Sequence, residues 1–210
     1  MMLYNYANRY IYYIINSHNV TKMKKPLNEN QVKTIRKMTA DNPLHNLLIN
    51  LSTDLMLRAS DLLKLKVSDV MFENGKVRET VKVKQKKTKN YTIDIPLSDH
   101  SKKSIVKFLS GKNADNFIFA GQKSHYTRKA ISIVQYQRII KGWMRMLGVD
   151  DVSSYSTHSM RKTLASHIYS KTNNVEAVRR LLGHQSVTAT SSYLNVSNDD
   201  ATALAVQHHF

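Results

Sequence analysis

The sequence predicts a mainly helical fold with one small antiparallel β-sheet, an α+β class. Two observations predict it: apolar residues recur at three- and four-residue spacing over most of the chain, and they alternate instead between Val77 and Ile95. A length of 210 residues with 41% hydrophobic content suffices for one good core, or for a domain with a small appendage.

The first predicted helices follow a polar, basic linker. Asn28, with Gln31 three residues on, resembles a capping box and predicts a helix through about Met38. Leucines at helical spacing across residues 44–57 predict a buried second helix. In "RASDLLKLKVSDV" we expect a short helix capped near Ser60.

Two strands joined by a basic loop are predicted after the turn signal Asn74-Gly75. The residues that share one parity are Val77, Val81 and Val83 before the loop "QKKTKN", and Tyr91, Ile93 and Ile95 after it. Polar residues lie between them, an alternation that is typical of strands.

Beyond the hairpin the pattern is helical again, apart from "NFIFAG", which predicts a brief extended piece. The predicted helices run from about Lys102 to Leu109, Arg128 to Leu147, His158 to Lys171 and Val175 to Leu182. Gly183 follows the last of these as a C-terminal stop.

The charge of the chain points to a polyanionic partner. Lys and Arg number 32 against 15 acidic residues, so the formal charge is +17, and such an excess most often indicates nucleic acid. A ribosome-like or merely soluble basic protein is the alternative. The sequence contains no cysteine, which excludes disulfides and thiolate metal sites and fits a reducing cytoplasm.

The two ends of the chain are predicted to be appendages of a domain at residues 26–195. Residues 1–25 predict a Tyr-rich amphipathic helix and linker, packing on this domain or on a neighbouring subunit. The apolar run Ile11 to Ile15 is too short to span a bilayer and no secretion signal follows, so we expect no membrane association. The tail, 196–210, carries an apolar stretch from Ala201 to Val206.

Two segments carry candidate catalytic groups late in the chain. In "STHSMRKTLASHIY" the three-residue spacing puts His158 and Arg161 on one helix face, which alone is more often an exposed polar helix start. In "LLGHQSVTATSSYL" His184 lies at a helix stop and Tyr193 follows it. Such a tyrosine is usually a half-buried packing residue, although both side chains can face a common cleft.

Two earlier segments carry cations. Arg58 follows a strongly apolar helix, where its charge needs either a carboxylate, such as Asp61, or a bound phosphate. The hairpin loop holds Lys86, Lys87 and Lys89, which form either a solvated turn or a source of a proton donor.

The order of these segments resembles the catalytic domain of the tyrosine recombinases, the phage integrase family. The resemblance runs from about Leu27 to Leu194 and is carried by "LRASDLLKL", "THSMRKTLASH" and "LLGHQSVTATSSYL". It implies site-specific cleavage of DNA by a tyrosine hydroxyl, which leaves a 3′-phosphotyrosyl link and a free 5′-hydroxyl. It selects Tyr193 as the nucleophile.

The resemblance also implies a role for each candidate. Arg58 and Arg161 hold the non-bridging phosphate oxygens, and His184 bonds one of them. His158 acts as general base or orients the site, and Asp61 supports the residues around it. The expected general acid is Lys87, with Lys86 and Lys89 as close rivals because a one-residue register slip changes which side chain points inward. The predicted DNA contacts are Lys86, Lys89, Arg128 and Lys162.

The implied chemistry uses no cofactor and no metal, because Arg, Lys and His neutralise the phosphate, and no ATP, because the phosphotyrosyl link conserves the bond energy. The implied partners are double-stranded DNA with specific recombination sites, other subunits in a tetramer on the DNA, and an accessory DNA-bending protein. The free protein is expected to be a monomer. Integration, excision or inversion of a mobile element all fit.

Two departures from the family pattern keep alternatives open. Thr53 and Asp54 stand where the family has a Thr-Gly pair, and only about 25 residues precede Pro26, where most members carry a DNA-clamping domain. We therefore expect a minimal recombinase, similar to the fimbrial invertases, or a truncated or degenerate relative. The alternatives are a type IB topoisomerase-like enzyme and a catalytically silent DNA-binding protein.

Overall fold

The computed structural model describes residues 23–121 and 129–196, together with Thr202 and Val206. Most of the N-terminal segment and most of the tail lie outside the described residues, as does Arg128. The described part is mainly helical with one two-stranded antiparallel sheet, which confirms the predicted fold class. None of its helices is long and apolar enough to cross a membrane.

Among the described residues, four helices precede the sheet: α1 (Glu29–Met38), α2 (Pro43–Leu55), α3 (Ala59–Leu62) and α4 (Val67–Val70). The predicted capping box is present, since Gln31 N donates to Asn28 Oδ1 at 2.8 Å and Asn28 N to Gln31 Oε1 at 3.0 Å. The predicted cap near Ser60 is wrong. Extended Arg58 (φ −64°, ψ 146°) is the N-cap of α3, because Met56 in the left-handed region (φ 48°) has already ended α2.

The sheet is shorter than predicted, with β1 at Thr80–Val81 and β2 at Ile95–Pro96. Val81 pairs with Ile95, and towards the loop only an isolated bridge joins Lys84 to Tyr91. The reason lies at Thr92, whose hydroxyl accepts the Val83 amide at 2.9 Å in place of a backbone carbonyl. The hairpin of the sequence analysis is therefore present, but its regular ladder is interrupted.

Five further helices follow in the part of the chain that the structure describes up to residue 196: α5 (Asp99–Leu109), α6 (Ile133–Met146), α7 (Thr157–Thr172), α8 (Val175–Leu182) and α9 (Val187–Leu194), with a 3₁₀ turn at Val152–Ser154. Helix α6 begins later than the predicted Arg128, because the Ser132 hydroxyl caps it by accepting the Gln135 amide at 3.1 Å. The expected extended piece is confirmed by isolated bridges at Phe117 and Ala120.

The core has a large and a small part. Helix α2 lies at the centre of the large part, with Leu48, Ile49 and Leu51 fully buried, and it packs against α5 and α7. The small part joins α7, α8 and α9 through Met56, Ala165, Val178 and Leu182. Full burial of one such leucine stabilises the fold by about 1.5–3 kcal/mol. The small cluster positions the candidate nucleophile, since Tyr193 packs against its edge.

Candidate active site

Arg58 lies half-buried at the junction of α2 and α3. Its Nη1 donates to the side-chain oxygen Oε1 of Gln85 at 2.8 Å. Within the described ranges it forms no ion pair with Asp61, the carboxylate that the sequence offered as its partner. A neutral amide oxygen therefore orients this guanidinium and leaves its full positive charge available to an anion.

Asp61 instead connects α3 to the hairpin. The residue is 4% exposed, and its Oδ1 accepts the backbone amide of Lys86 at 3.0 Å. Its Oδ2 is buried without a hydrogen-bond partner among residues 23–121 and 129–196. The carboxylate also favours the charged form of nearby Arg161. Asp61 thus supports the site by holding the start of the lysine loop.

Arg161 is the most deeply buried cation of the site, with 3% of its surface exposed. Its Nη2 donates to the main-chain oxygen of Leu182 at 2.7 Å, whereas Nη1 is buried with no partner in the described part of the chain. Burial and the neighbouring Arg58 lower the pKa of Arg161 to about 10, so the group stays cationic at neutral pH. An orphan donor on a buried cation is costly, and an anion at this position would remove the cost.

The two arginines face a small cavity of about 210 Å³, which is also lined by Ser60, Thr157 and His158. His158 stands at the start of α7, where its amide donates to Ser156 Oγ at 3.2 Å. Partial burial, Arg161 and Arg58 lower the pKa of its imidazole below the usual 6.5. The ring is therefore neutral at pH 7 and able to accept a proton.

His184 follows Gly183, whose left-handed backbone (φ 65°) ends α8. Its Nδ1 lies 3.1 Å from Thr190 Oγ1, and that hydroxyl donates to the Ser186 carbonyl at 3.1 Å. Because the threonine proton is used there, the network places a proton on Nδ1 and a lone pair on Nε2. Burial, Arg161 and Arg58 lower the pKa of His184 to about 4. Donation from Nε2 to a phosphate therefore requires protonation, which the anion itself favours.

Tyr193 lies on α9 with its ring edge-on to His184, the centroids 5.3 Å apart. Its hydroxyl donates to the main-chain oxygen of His158 at 3.4 Å. Burial raises the pKa of the phenol to about 12, while Arg161 and Arg58 act in the opposite direction. The hydroxyl is thus protonated at neutral pH and lies against the first turn of α7, beside the arginine cavity.

Lys162, which we predicted to contact DNA, lies beneath the ring of Tyr193. Only 7% of it is exposed, and its Nζ lies 5.7 Å from the centre of the Tyr193 ring. Burial lowers the pKa of its ammonium. The charge therefore faces the π-surface of the tyrosine, an arrangement that attracts a cation to an aromatic ring.

The hairpin lysines contrast with these groups. Lys86, Lys87 and Lys89 are all exposed, and none of their ammonium groups forms a hydrogen bond or an ion pair within the described ranges. Lys89 has left-handed backbone (φ 61°), which turns the loop back towards the second strand. The choice of Lys87 as general acid stays a prediction.

Gln85 is the site residue that sequence reasoning missed. It shares the parity of Val81 and Val83, so a polar residue occupies an inward position of an otherwise apolar pattern. A buried amide must find partners, and here its oxygen receives Arg58. The alternation of apolar residues indicated that position 85 faces inward, but it did not indicate which groups the amide would bond.

Comparison with known proteins finds a family whose model matches most of the chain. The model of the Phage integrase family matches residues 20–199. The "Probable integrase/recombinase YoeC" of Bacillus subtilis is 29% identical over 147 residues, 70% of this chain and 75% of that protein. A "Tyrosine recombinase" of Pseudothermotoga lettingae is 25% identical over 172 residues, 81% of this chain but 56% of that one.

Solved structures share the fold. A XerA recombinase superposes with a TM-score of 0.69 at 18% identity, over 90% of this chain and 66% of the other. The Tn1549 transposon integrase, solved in complex with transposon right end DNA, has a TM-score of 0.67 at 17% identity, over 90% and 67%. The chain thus spans about two thirds of each of these structures.

Proposed function

Because the chain belongs to the phage integrase family, we propose that it is a site-specific DNA recombinase that cuts and rejoins strands through a 3′-phosphotyrosyl intermediate. The observation that carries the proposal is the position of Tyr193. Its hydroxyl lies against the main-chain oxygen of His158, beside a cavity that two arginines line. A nucleophile next to preorganised cations is the arrangement that phosphoryl transfer requires.

In the proposed cleavage step, Tyr193 Oη attacks the phosphorus and the bond to the 5′-oxygen breaks. Neutral His158 accepts the phenol proton during attack, because a pKa of about 12 leaves little phenolate at neutral pH. Lys87 gives a proton to the departing 5′-oxygen. The reverse sequence, with a 5′-hydroxyl as nucleophile, rejoins the strand, and no bond energy is lost to water.

The transition state carries more negative charge on the non-bridging oxygens than the substrate does. Arg58 and Arg161 are fixed in advance by neutral acceptors, Gln85 and the Leu182 carbonyl, so their charges are free to bind these oxygens. His184, once protonated beside the phosphate, contributes a further donor. Fixed donors of this kind contribute about 3–4 kcal/mol each to transition-state stabilisation.

Double-stranded DNA is the proposed substrate. The formal charge of +17 supports it, and so do the DNA complexes among the structural relatives, such as the Tn1549 integrase with transposon DNA. The residues proposed to contact the DNA are Lys86, Lys89, Arg128 and Lys162. A tetramer on the DNA, an accessory DNA-bending protein, a role in a mobile element and a cytoplasmic location complete the proposal.

The proposed domain division places the catalytic domain at residues 26–195. Residues 1–25 form a separate segment, and the tail at 196–210 docks on a neighbouring subunit in the assembled complex. These assignments rest on the resemblance and on the composition of the two ends.

The test is covalent capture. The protein is incubated with a random pool of nicked duplexes, and DNA that remains attached after denaturation is sequenced to reveal the site. We expect a protein–DNA adduct that Tyr193→Phe abolishes, with Tyr155→Phe as the matched control. Absence of any adduct would favour a silent DNA-binding protein, and relaxation of supercoils without a specific site would favour a topoisomerase.

A further inference from the structure

Gln85 links three parts of the site that are distant in the sequence. The side chain is 2% exposed and sits at the base of the hairpin loop. Its Oε1 accepts both Arg58 Nη1 at 2.8 Å and Thr88 Oγ1 at 3.0 Å. Its Nε2 donates to the main-chain oxygen of Leu182 at 3.3 Å. The amide therefore contacts the first arginine, the loop itself and the end of α8.

The chemistry of these partners determines the orientation of the amide. A guanidinium only donates and a carbonyl only accepts, so Oε1 must face Arg58 and Nε2 must face Leu182. The same Leu182 oxygen accepts Arg161 Nη2 at 2.7 Å. One carbonyl at the C-terminus of α8 thus connects Arg161 to Gln85, and Gln85 connects it to Arg58.

The loop that carries the lysines closes on the backbone of Gln85. The main-chain N–H of Gln85 donates to the Asn90 carbonyl at 2.8 Å, and the main-chain carbonyl of Gln85 accepts the Lys89 N–H at 2.9 Å. Next to it, the Lys86 amide is held by Asp61. The hydrogen bonds of the Gln85 side chain therefore also fix the position from which the loop extends.

Gly183 leaves the space that this amide uses. A Cβ added at Gly183 would lie 2.8 Å from Gln85 Nε2, closer than real Cβ contacts allow. The glycine at the end of α8 thus has two roles, since it adopts left-handed backbone (φ 65°) and admits the glutamine.

We propose that Gln85 is a positioning residue that holds the hairpin loop, and with it the lysine that acts as general acid, at a fixed distance from Arg58 and Arg161. The proposal rests on the proposed function and deepens it. It assigns to a buried neutral side chain the alignment of two groups that act on opposite sides of one phosphate: the cations on the non-bridging oxygens and the acid on the leaving oxygen.

The first experiment measures the loop without DNA. Gln85→Met keeps the length of the side chain and removes both polar atoms, and Gln31→Met in the α1 capping box is the matched control. Hydrogen–deuterium exchange of the amides at residues 85–90 should accelerate about tenfold or more in Gln85→Met and stay unchanged in Gln31→Met. Unchanged exchange in a folded Gln85→Met would overturn the proposal.

The second experiment measures cleavage on two nicked duplexes of the captured sequence, one with an oxygen and one with a sulfur at the 5′-bridging position. A thiolate leaves without protonation, so the sulfur duplex does not need the general acid. The Gln85→Met substitution should lower the cleavage rate about 100-fold on the oxygen duplex. The loss of rate should be smaller on the sulfur duplex, where the part that remains reports the displacement of Arg58. Equal losses on both duplexes would overturn the link to the lysine.

The two experiments separate the proposal from the function on which it rests. If the unaltered protein forms no adduct with any duplex, the proposed function fails, and the exchange measurement still tests whether Gln85 holds the loop. If the unaltered protein cleaves and Gln85→Met cleaves within about twofold of it on both duplexes, only the positioning role is overturned.

Discussion

The arginine side of the site and the lysine loop are held in opposite ways. Arg161 is almost entirely buried and bonded to a main-chain carbonyl, and Arg58 is bonded to a buried amide. The three loop lysines are exposed, and among the described residues their ammonium groups have no hydrogen-bond or ion-pair partner. Between the two regions stands Gln85, buried and bonded to both.

This contrast matches the different tasks that we propose for the two regions. Groups that stabilise charge on a phosphate must be fixed beforehand, because reorientation during the reaction would cost free energy. In keeping with this, Arg161 is buried and Arg58 half-buried, although burial penalises a charge, as the lowered pKa of Arg161 indicates. A proton donor has to reach one oxygen, so an exposed loop anchored only at its base is sufficient.

The largest expected effect is at the buried end of this contrast. Arg161→Met should lower the cleavage rate about 100- to 1,000-fold or more, as for a lost preorganised donor. The protein should also lose stability, because the substitution removes the bond to the Leu182 carbonyl and leaves the buried Asp61 carboxylate with less positive charge nearby. Single-turnover cleavage and thermal unfolding measure the two effects. Cleavage by folded Arg161→Met at close to the rate of the unaltered protein would show that Arg161 does not bind the phosphate.

The second prediction concerns the exposed end. Lys87→Ala should slow cleavage about 100-fold on the oxygen duplex, the loss expected for a general acid, and recover on the sulfur duplex. Lys86→Ala and Lys89→Ala serve as matched controls and should remain within a few-fold of the unaltered protein. If one of the controls shows the loss and the recovery, that lysine is the acid and Lys87 is not.

The third prediction tests the connection between the regions. Gly183→Ala and Gly148→Ala place a Cβ on nearly identical left-handed backbone (φ 65° and 66°), but only the Cβ at Gly183 meets Gln85. Both should destabilise the protein by about 1–3 kcal/mol through backbone strain. Only Gly183→Ala should also lower the cleavage rate, by about tenfold or more. Equal cleavage by the two variants would contradict the role of the amide.

The smallest effect is a pH dependence that arises from His184. Its folded-state pKa of about 4 lies below the usual 6.5, so the unfolded chain binds a proton in this window and the folded protein does not. Stability contributed by neutral His184 is therefore present above pH 6.5 and is lost as the pH falls towards 4. In the His184→Gln variant, the free energy of unfolding should therefore depend less on pH between about 4 and 6.5.

A proton NMR titration measures the same group directly. The pKa of His184 should be near 4 in the free protein and should rise when DNA binds, because a phosphate offsets the repulsion from the two arginines. A pKa that stays low on DNA would mean that His184 does not donate to the phosphate from Nε2.

Several features of the fold could be predicted from the sequence because they depend on local contacts. The capping box at Asn28 and Gln31 and the glycine stop at Gly183 involve residues a few positions apart. The short regular sheet could not be predicted, because the Thr92 hydroxyl that interrupts the ladder bonds across strands. The start of α6 was misplaced because the Ser132 cap was not recognised.

The sequence by itself determined the fold class, the order of the helices and most of the candidate residues of the proposed phosphate site. Only the tertiary structure decided which side chains are in contact. Arg58 bonds Gln85 and not Asp61, Lys162 lies beneath Tyr193, and His184 bonds Thr190. The physical reason is that a buried polar group takes whichever partner the packed helices bring within about 3 Å, and periodicity in a sequence does not specify that distance.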